Sequence, residues 1–258
     1  MFSEEFNNVI GSAKSKVRLL KTNPLGYIIS SMLAGIYVGL GIILIFTIGG
    51  LLSSAGSPAT KIIMGISFGV ALSLVVFAGS ELFTGNNFVM GAGSLSRQVS
   101  WTDTMKVWAM CFVGNLVGSI LIGYMFYLTG LASGPVGEFI GATSAAKMNI
   151  PFMPLLFRAI FCNILVCLGV WSTFRCKEET AKLIMIFWCL FTFITAGFEH
   201  SIANMTLLTI GLLAPNGADV SVIGYIYNIG VVTLGNMIGG VLFMAVPYYI
   251  ISKKVKEA

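Results

Sequence analysis

The sequence predicts an all-α membrane protein. Six transmembrane helices form two inverted three-helix repeats, with the second and fifth helices broken. Three observations carry that expectation. Of 258 residues, 57% are hydrophobic and only 10% charged, against about 25% charged in an ordinary soluble domain. Mean hydropathy is +0.92. Apolar runs that can cross a bilayer, at about 20 residues each, recur six times. Two of these runs are interrupted by the same polar pattern.

The elements follow in order within a single membrane domain, 1–258. Residues 1–24 read as an amphipathic surface helix. Phe2, Phe6, Val9, Ile10, Ala13, Val17 and Leu20 recur at helical spacing, Lys14, Lys16, Arg18 and Lys21 lie off that stripe, and Pro24 ends it. Such a helix lies on the membrane or docks under a neighbouring subunit. It is not a cleavable signal, because it has charges and no apolar core. The first three-span repeat covers 26–131. Its spans run 26–52, then from just after Lys61 to about Ala92 with a break at 79–86, then 105–131. A long connection, 132–151, carries Glu138 and Lys147. The second repeat covers 152–251. Its spans run 152–174, then 183–213 with a break at 197–204, then 222–251.

Charge sets the orientation. With both termini cytoplasmic, the inner segments hold Lys14, Lys16, Arg18, Lys21, Arg97, Lys106, Arg175, Lys177, Lys182, Lys253, Lys254 and Lys256. These are twelve of the fifteen basic residues, as the positive-inside rule expects of a multi-pass cell-membrane protein. Only Lys61, Lys147 and Arg158 remain outside. Basic residues placed this way do not mark a nucleic-acid binder. The five cysteines, at 111, 162, 167, 176 and 189, show no metal-ligand spacing and no disulfide framework. A redox motif and a nucleophile–base pair are also missing, so neither an enzyme nor a cofactor is expected.

The interruptions repeat. Gly79-x-Glu81-x-x-x-x-Asn86 recurs as Gly197-x-Glu199-x-x-x-x-Asn204, 118 positions later, and Gly114-Asn115-x-x-Gly118 recurs as Gly235-Asn236-x-x-Gly239, 121 positions later. A duplicated unit of three spans starts and ends on opposite sides, so the second copy is inverted. A break inside the bilayer must be buried in protein or line a cavity. Glu81 and Glu199 are expected to hold the loops together, and Asn86 and Asn204 to cap the resumed half-helices. The half-helix N-termini favour an anion at the midplane. His200, the sole histidine of the chain, sits in the second break, and an ionisable group at that depth points to function. Thr84 offers a hydroxyl from the first break and Asn236 an amide, so these three form the expected permeation centre. The repeated glycines let helices approach closely. Inverted broken helices also suit an aquaporin-type channel for neutral solutes, although neither break holds the proline of an Asn-Pro-Ala motif.

Three segments carry a resemblance: Gly79-Ser-Glu-Leu-Phe-Thr-Gly-Asn86, Cys162-Asn-Ile-Leu-Val-Cys-Leu-Gly-Val-Trp171 and Gly197-Phe-Glu-His-Ser-Ile-Ala-Asn-Met205. They resemble the hallmark segments of the formate–nitrite transporter family, in order and across essentially the whole chain. The sequence looks most like the hydrosulfide-channel branch of clostridia. The resemblance implies an aquaporin-like protomer and a homopentamer in the lipid bilayer, with one pathway per protomer for small monovalent anions: hydrosulfide, formate or nitrite. It implies an outer constriction at Phe68 and Phe193. The inner one would be Leu72 and Leu82, beside a mobile loop that carries Phe83. Lys147 would be a vestibule lysine that attracts anions.

Overall fold

A computed structural model describes residues 2–252; Lys253, Lys254 and Lys256, part of the inside-positive expectation, lie outside the described residues. The amphipathic segment forms α1, Ser3–Thr22, with Glu4 and Glu5 in its first turn and Lys21 in its last, each charge opposing the helix dipole favourably. Asn23 ends it and caps the next helix, its Oδ1 accepting from Gly26 N at 2.9 Å. α2, Pro24–Ser54, is the first span.

The second crossing is built from α3 (Thr60–Ser67) and α4 (Gly69–Phe77), kinked at Phe68, and then from α5 (Phe83–Leu95) beyond the break. At the kink the hydrogen bonds shorten to three-residue steps, Phe68 N to Gly65 O and Ala71 N to Phe68 O. α6, Trp101–Leu128, starts four residues before the expected 105 because the Ser100 hydroxyl accepts from Asp103 N at 3.0 Å. The connection expected at 132–151 contains a helix, α7, Gly134–Met148. Its second position is Pro135, which suits a first turn. Gly141 lies against the Pro215 carbonyl, and Ser144 against Gly211.

The second half repeats the plan. α8 (Phe152–Arg175) is followed by α9 (Glu179–Ala196), the break, and α10 (Ser201–Leu213). α11 (Val222–Gly240) passes through a π turn, Val241–Ala245, into α12 (Val246–Ser252). Among the described residues, six helical stretches are long and apolar enough to cross a membrane: Pro24–Ser54, Thr60–Phe77, Trp101–Leu128, Phe152–Arg175, Glu179–Ala196 and Val222–Ser252. α2 packs along α6, and α8 along α11. The repeated glycines make this possible. Gly118 lies against the Met32 carbonyl and Gly239 against the Ile160 carbonyl, so close that a methyl group at either would clash with backbone.

Part of the apolar stripe of α1 packs against its own chain. Phe6, Val9 and Ala13 are buried. Ala13 lies against Gly93 of α5, Phe6 against Tyr249 of α12, and Phe2 edge-on to Trp171 of α8. Arg175 lies over the Phe2 ring and pairs with Glu5. The Ser3 hydroxyl donates to Ser252 O at 3.2 Å. Both ends of the described chain therefore share one face, as an even number of crossings requires.

Candidate permeation site at the two helix breaks

The two breaks are built alike. α4 and α9 each end on a glycine with positive φ, Gly79 at 77° and Gly197 at 78°, a conformation that glycine adopts without a Cβ penalty. In both, the next amide reaches back five residues, Ser80 N to Val75 O and Phe198 N to Phe193 O, each at 3.0 Å. The glutamate follows. Its own N–H donates across to the first span of its half, Glu81 N to Ser30 O and Glu199 N to Arg158 O.

Each carboxylate is clamped. Glu81 accepts both its oxygens' bonds from Lys16 Nζ at 2.7 and 2.8 Å, and a further bond from Asn86 Nδ2 at 2.8 Å. Glu199 accepts two from Lys147 Nζ, both at 2.7 Å, and one from Asn204 Nδ2 at 2.7 Å. Buried charges persist only when paired and hydrogen-bonded, and both are. The half-helices begin at Phe83 and Ser201, three residues before the asparagines. Asn86 and Asn204 therefore brace the carboxylates rather than cap the helices. A third span supplies the cap. Asn115 Oδ1 accepts from Phe83 N at 2.9 Å, and its Nδ2 donates to Ser31 O and Glu81 O. Asn236 does the same in the second half, accepting from Ser201 N at 2.9 Å and donating to Ala159 O and Glu199 O. Freed backbone groups inside the bilayer are thus satisfied by protein.

His200 occupies the position that Leu82 holds in the first break. Its Nδ1 accepts from Ala203 N at 3.1 Å, and its Nε2 lies 2.9 Å from Thr84 Oγ1. A backbone N–H pointing at Nδ1 assigns the proton of the neutral ring to Nε2, which then donates to the threonine. The imidazole lies nearly parallel to the Phe193 ring, 6.0 Å between centroids. Phe193 in turn meets Phe68 edge-on at 5.5 Å.

Three cavities lie in series around this point. One, of about 310 Å³, opens beside α1 and is lined by Lys16, Glu81, Leu72 and Leu82. A second, of about 250 Å³, opens beside α7 and is lined by Lys61, Thr143, Lys147, Asn204, His200 and Phe193 among apolar residues. Between them is a chamber of only about 10 Å³, walled by Val38, Phe68, Ala71, Leu72, Leu82, Val166, Leu190, Phe193 and His200. Leu72 and Leu82 border the chamber and the α1-side vestibule. Phe193 and His200 border the chamber and the α7-side vestibule. The chamber wall is apolar except for His200.

The sequence-predicted residues divide accordingly. Phe68, Phe193, Leu72, Leu82 and His200 come together at the chamber. Thr84 touches His200 but stands behind it, outside all three cavity walls. Asn236 is fully buried with its amide committed to the break, so it does not reach the pathway. Phe83 turns away, its buried ring edge-on to Phe112 of α6 at 5.3 Å. Lys147 lines the α7-side vestibule from the last turn of α7, already paired with Glu199. Sequence reasoning missed Lys16 as the clamp of the first break. It also missed Asn163, whose Nδ2 lies within hydrogen-bond distance of Thr84 O and Asn236 O and so bridges the two halves.

Two vestibules that meet at a tight chamber between paired helix breaks, among six helices of membrane-crossing length, define the layout of a membrane channel or transporter. Residues 3–250 match the formate/nitrite transporter family, and the chain belongs to that family. It is 41% identical over 262 residues to the nitrite transporter NirC of Escherichia coli, covering 100% of this chain and 95% of the relative. Among solved structures, an FNT family ion channel superposes with a TM-score of 0.93 at 39% identity, covering 98% of this chain and 100% of the other. A pentameric formate channel with formate bound gives 0.74 at 27% identity, covering 89% and 98%. The protein is thus a family membrane channel or transporter and not an enzyme.

Proposed function

We propose that the protein carries small monovalent anions of weak acids through each protomer, past His200. The observation that carries this reading is the chamber itself: room for a very small solute, two apolar constrictions, and one polar side chain in the wall. A bare anion entering it loses nearly all hydration, at a heavy cost. His200 offers the Nε2 proton that otherwise goes to Thr84. Carriage with a proton avoids the cost of the bare charge and fits a wall that holds a titratable ring. Multivalent anions do not fit. The solved formate channel supports formate and a pentamer, and the NirC relative supports nitrite. Hydrosulfide, the best single reading of the sequence, belongs to the same chemical class. The basic residues Lys14, Lys16, Arg18, Lys21 and Arg97 support a cytoplasmic α1 face.

A proteoliposome panel of nitrite, formate, hydrosulfide, lactate and chloride, at two pH values, tests the reading. Nitrite, formate and hydrosulfide should pass, faster at the lower pH, and chloride should not. Rapid water or glycerol flux by light scattering, with no anion flux, would replace it with the neutral-solute reading.

A further inference from the structure

The α7-side vestibule contains two lysines in different electrical states. Lys147 lies between two carboxylate contacts of 2.7 Å to Glu199. Such a pair acts on a distant ion as a dipole, whose potential falls off faster than that of a single charge. Lys61 lines the same cavity, and among the described residues it forms no ion pair. It is exposed, while the rest of the wall is mostly aromatic and aliphatic: Phe46, Phe139, Phe193 and Phe198 with Ile42 and Met64.

The location of Lys61 brings its helix no electrostatic benefit. It is the second residue of α3, in the first turn, and that turn has no acidic residue. An ammonium there opposes the positive end of the helix dipole. Helix stability therefore does not account for it. Its effect on the vestibule does: the N-terminal end of α3 and the unpaired ammonium add at the mouth, and low-dielectric walls focus the field inward.

We infer that Lys61 is the anion-capture residue of this vestibule, and that Lys147 is a structural clamp of the second break. This rests on the anion-transport reading above and deepens it. Lys61 makes the first electrostatic contact and sets the entry rate; it takes no part at the chamber.

The test is initial nitrite flux through wild type, Lys61→Arg, Lys61→Gln and Lys61→Glu in proteoliposomes, each at low and high ionic strength. The Debye length falls from about 30 Å at 0.01 M to about 3 Å at 1 M, so a capture charge is visible only in the first condition. At low salt Lys61→Glu should lower flux roughly tenfold, the lower end of steering effects, Lys61→Gln should lie between, and Lys61→Arg should match wild type. At 1 M the four should converge. A Lys147→Gln control should lose flux equally at both salts, and its melting temperature should fall. Wild-type salt dependence in Lys61→Glu would overturn the inference, as would a loss that persists at 1 M with the fold intact by size-exclusion profile. A wild type that passes no anion would instead remove the transport reading itself.

Discussion

The two breaks share a frame and differ in what fills it. Glycine C-cap, clamped glutamate, bracing asparagine and a capping asparagine from the third span recur at matching positions in both. The differences include the residue after the glutamate, Leu82 against His200, the residue two further on, Thr84 against Ile202, and the source of the clamp. Lys147 comes from α7, in the connection between the two repeats. Lys16 comes from α1, an N-terminal helix outside the repeat. The shared positions satisfy backbone groups that lipid cannot, and the residue after the glutamate is apolar in one break and titratable in the other. The difference also teaches that α1 is part of the first break. Without Lys16, Glu81 would stand uncompensated against its vestibule.

The comparison can be broken first at the clamps. Lys147→Ala strands Glu199, which is 3% exposed, and breaking a buried pair costs about 3–5 kcal/mol. Lys16→Ala should cost less, because Glu81 is 12% exposed and keeps the Asn86 amide and the Tyr27 hydroxyl. Thermal unfolding in mild detergent measures both, and equal losses would show that the two clamps are energetically equivalent. Next come the caps. Asn115→Leu and Asn236→Leu each remove one acceptor and two donated bonds, and net values of about 1 kcal/mol per bond give a loss near 3 kcal/mol each. The same assay tests whether the losses match. A much larger effect of Asn236→Leu on flux than on stability would return it to the pathway.

Smaller changes sharpen the comparison at the chamber. Leu82→Ala should raise nitrite flux several-fold by widening the α1-side constriction it shares with Leu72, measured as initial uptake. Thr84→Val removes the acceptor of the Nε2 proton while preserving shape. It should alter the pH dependence of flux more than its maximum, and an unchanged pH profile would show that the 2.9 Å contact only positions the ring.

Much of this was legible in the sequence because polar residues in an apolar run stand out. Glu81, Glu199 and His200 mark the breaks, and the recurrence of Gly-Asn marks the packing helices. The apolar wall was legible only through family resemblance at Phe68, Leu72, Leu82 and Phe193, and not at all at Val38, Ala71, Val166 and Leu190, since any aliphatic residue on a membrane helix looks alike. α7 was hidden because its 15 residues include three glycines and a proline, a composition that resembles a loop; contact with Pro215 and Gly211 makes it a helix. Lys16 read as one surface basic residue among four, because nothing local indicates a partner 65 residues away. Asn236 was visible as a polar residue at membrane depth, but which side its amide faces is a tertiary fact.

The central claim is that the second break's histidine sits on the anion path. Nitrite flux through His200→Phe, with assembly and melting temperature measured on the same preparation, addresses it most directly. The account predicts flux at the level of empty liposomes in a protein that still folds and assembles. Wild-type flux with a wild-type pH profile would contradict it, leaving His200 as a cap of α10 and nothing more.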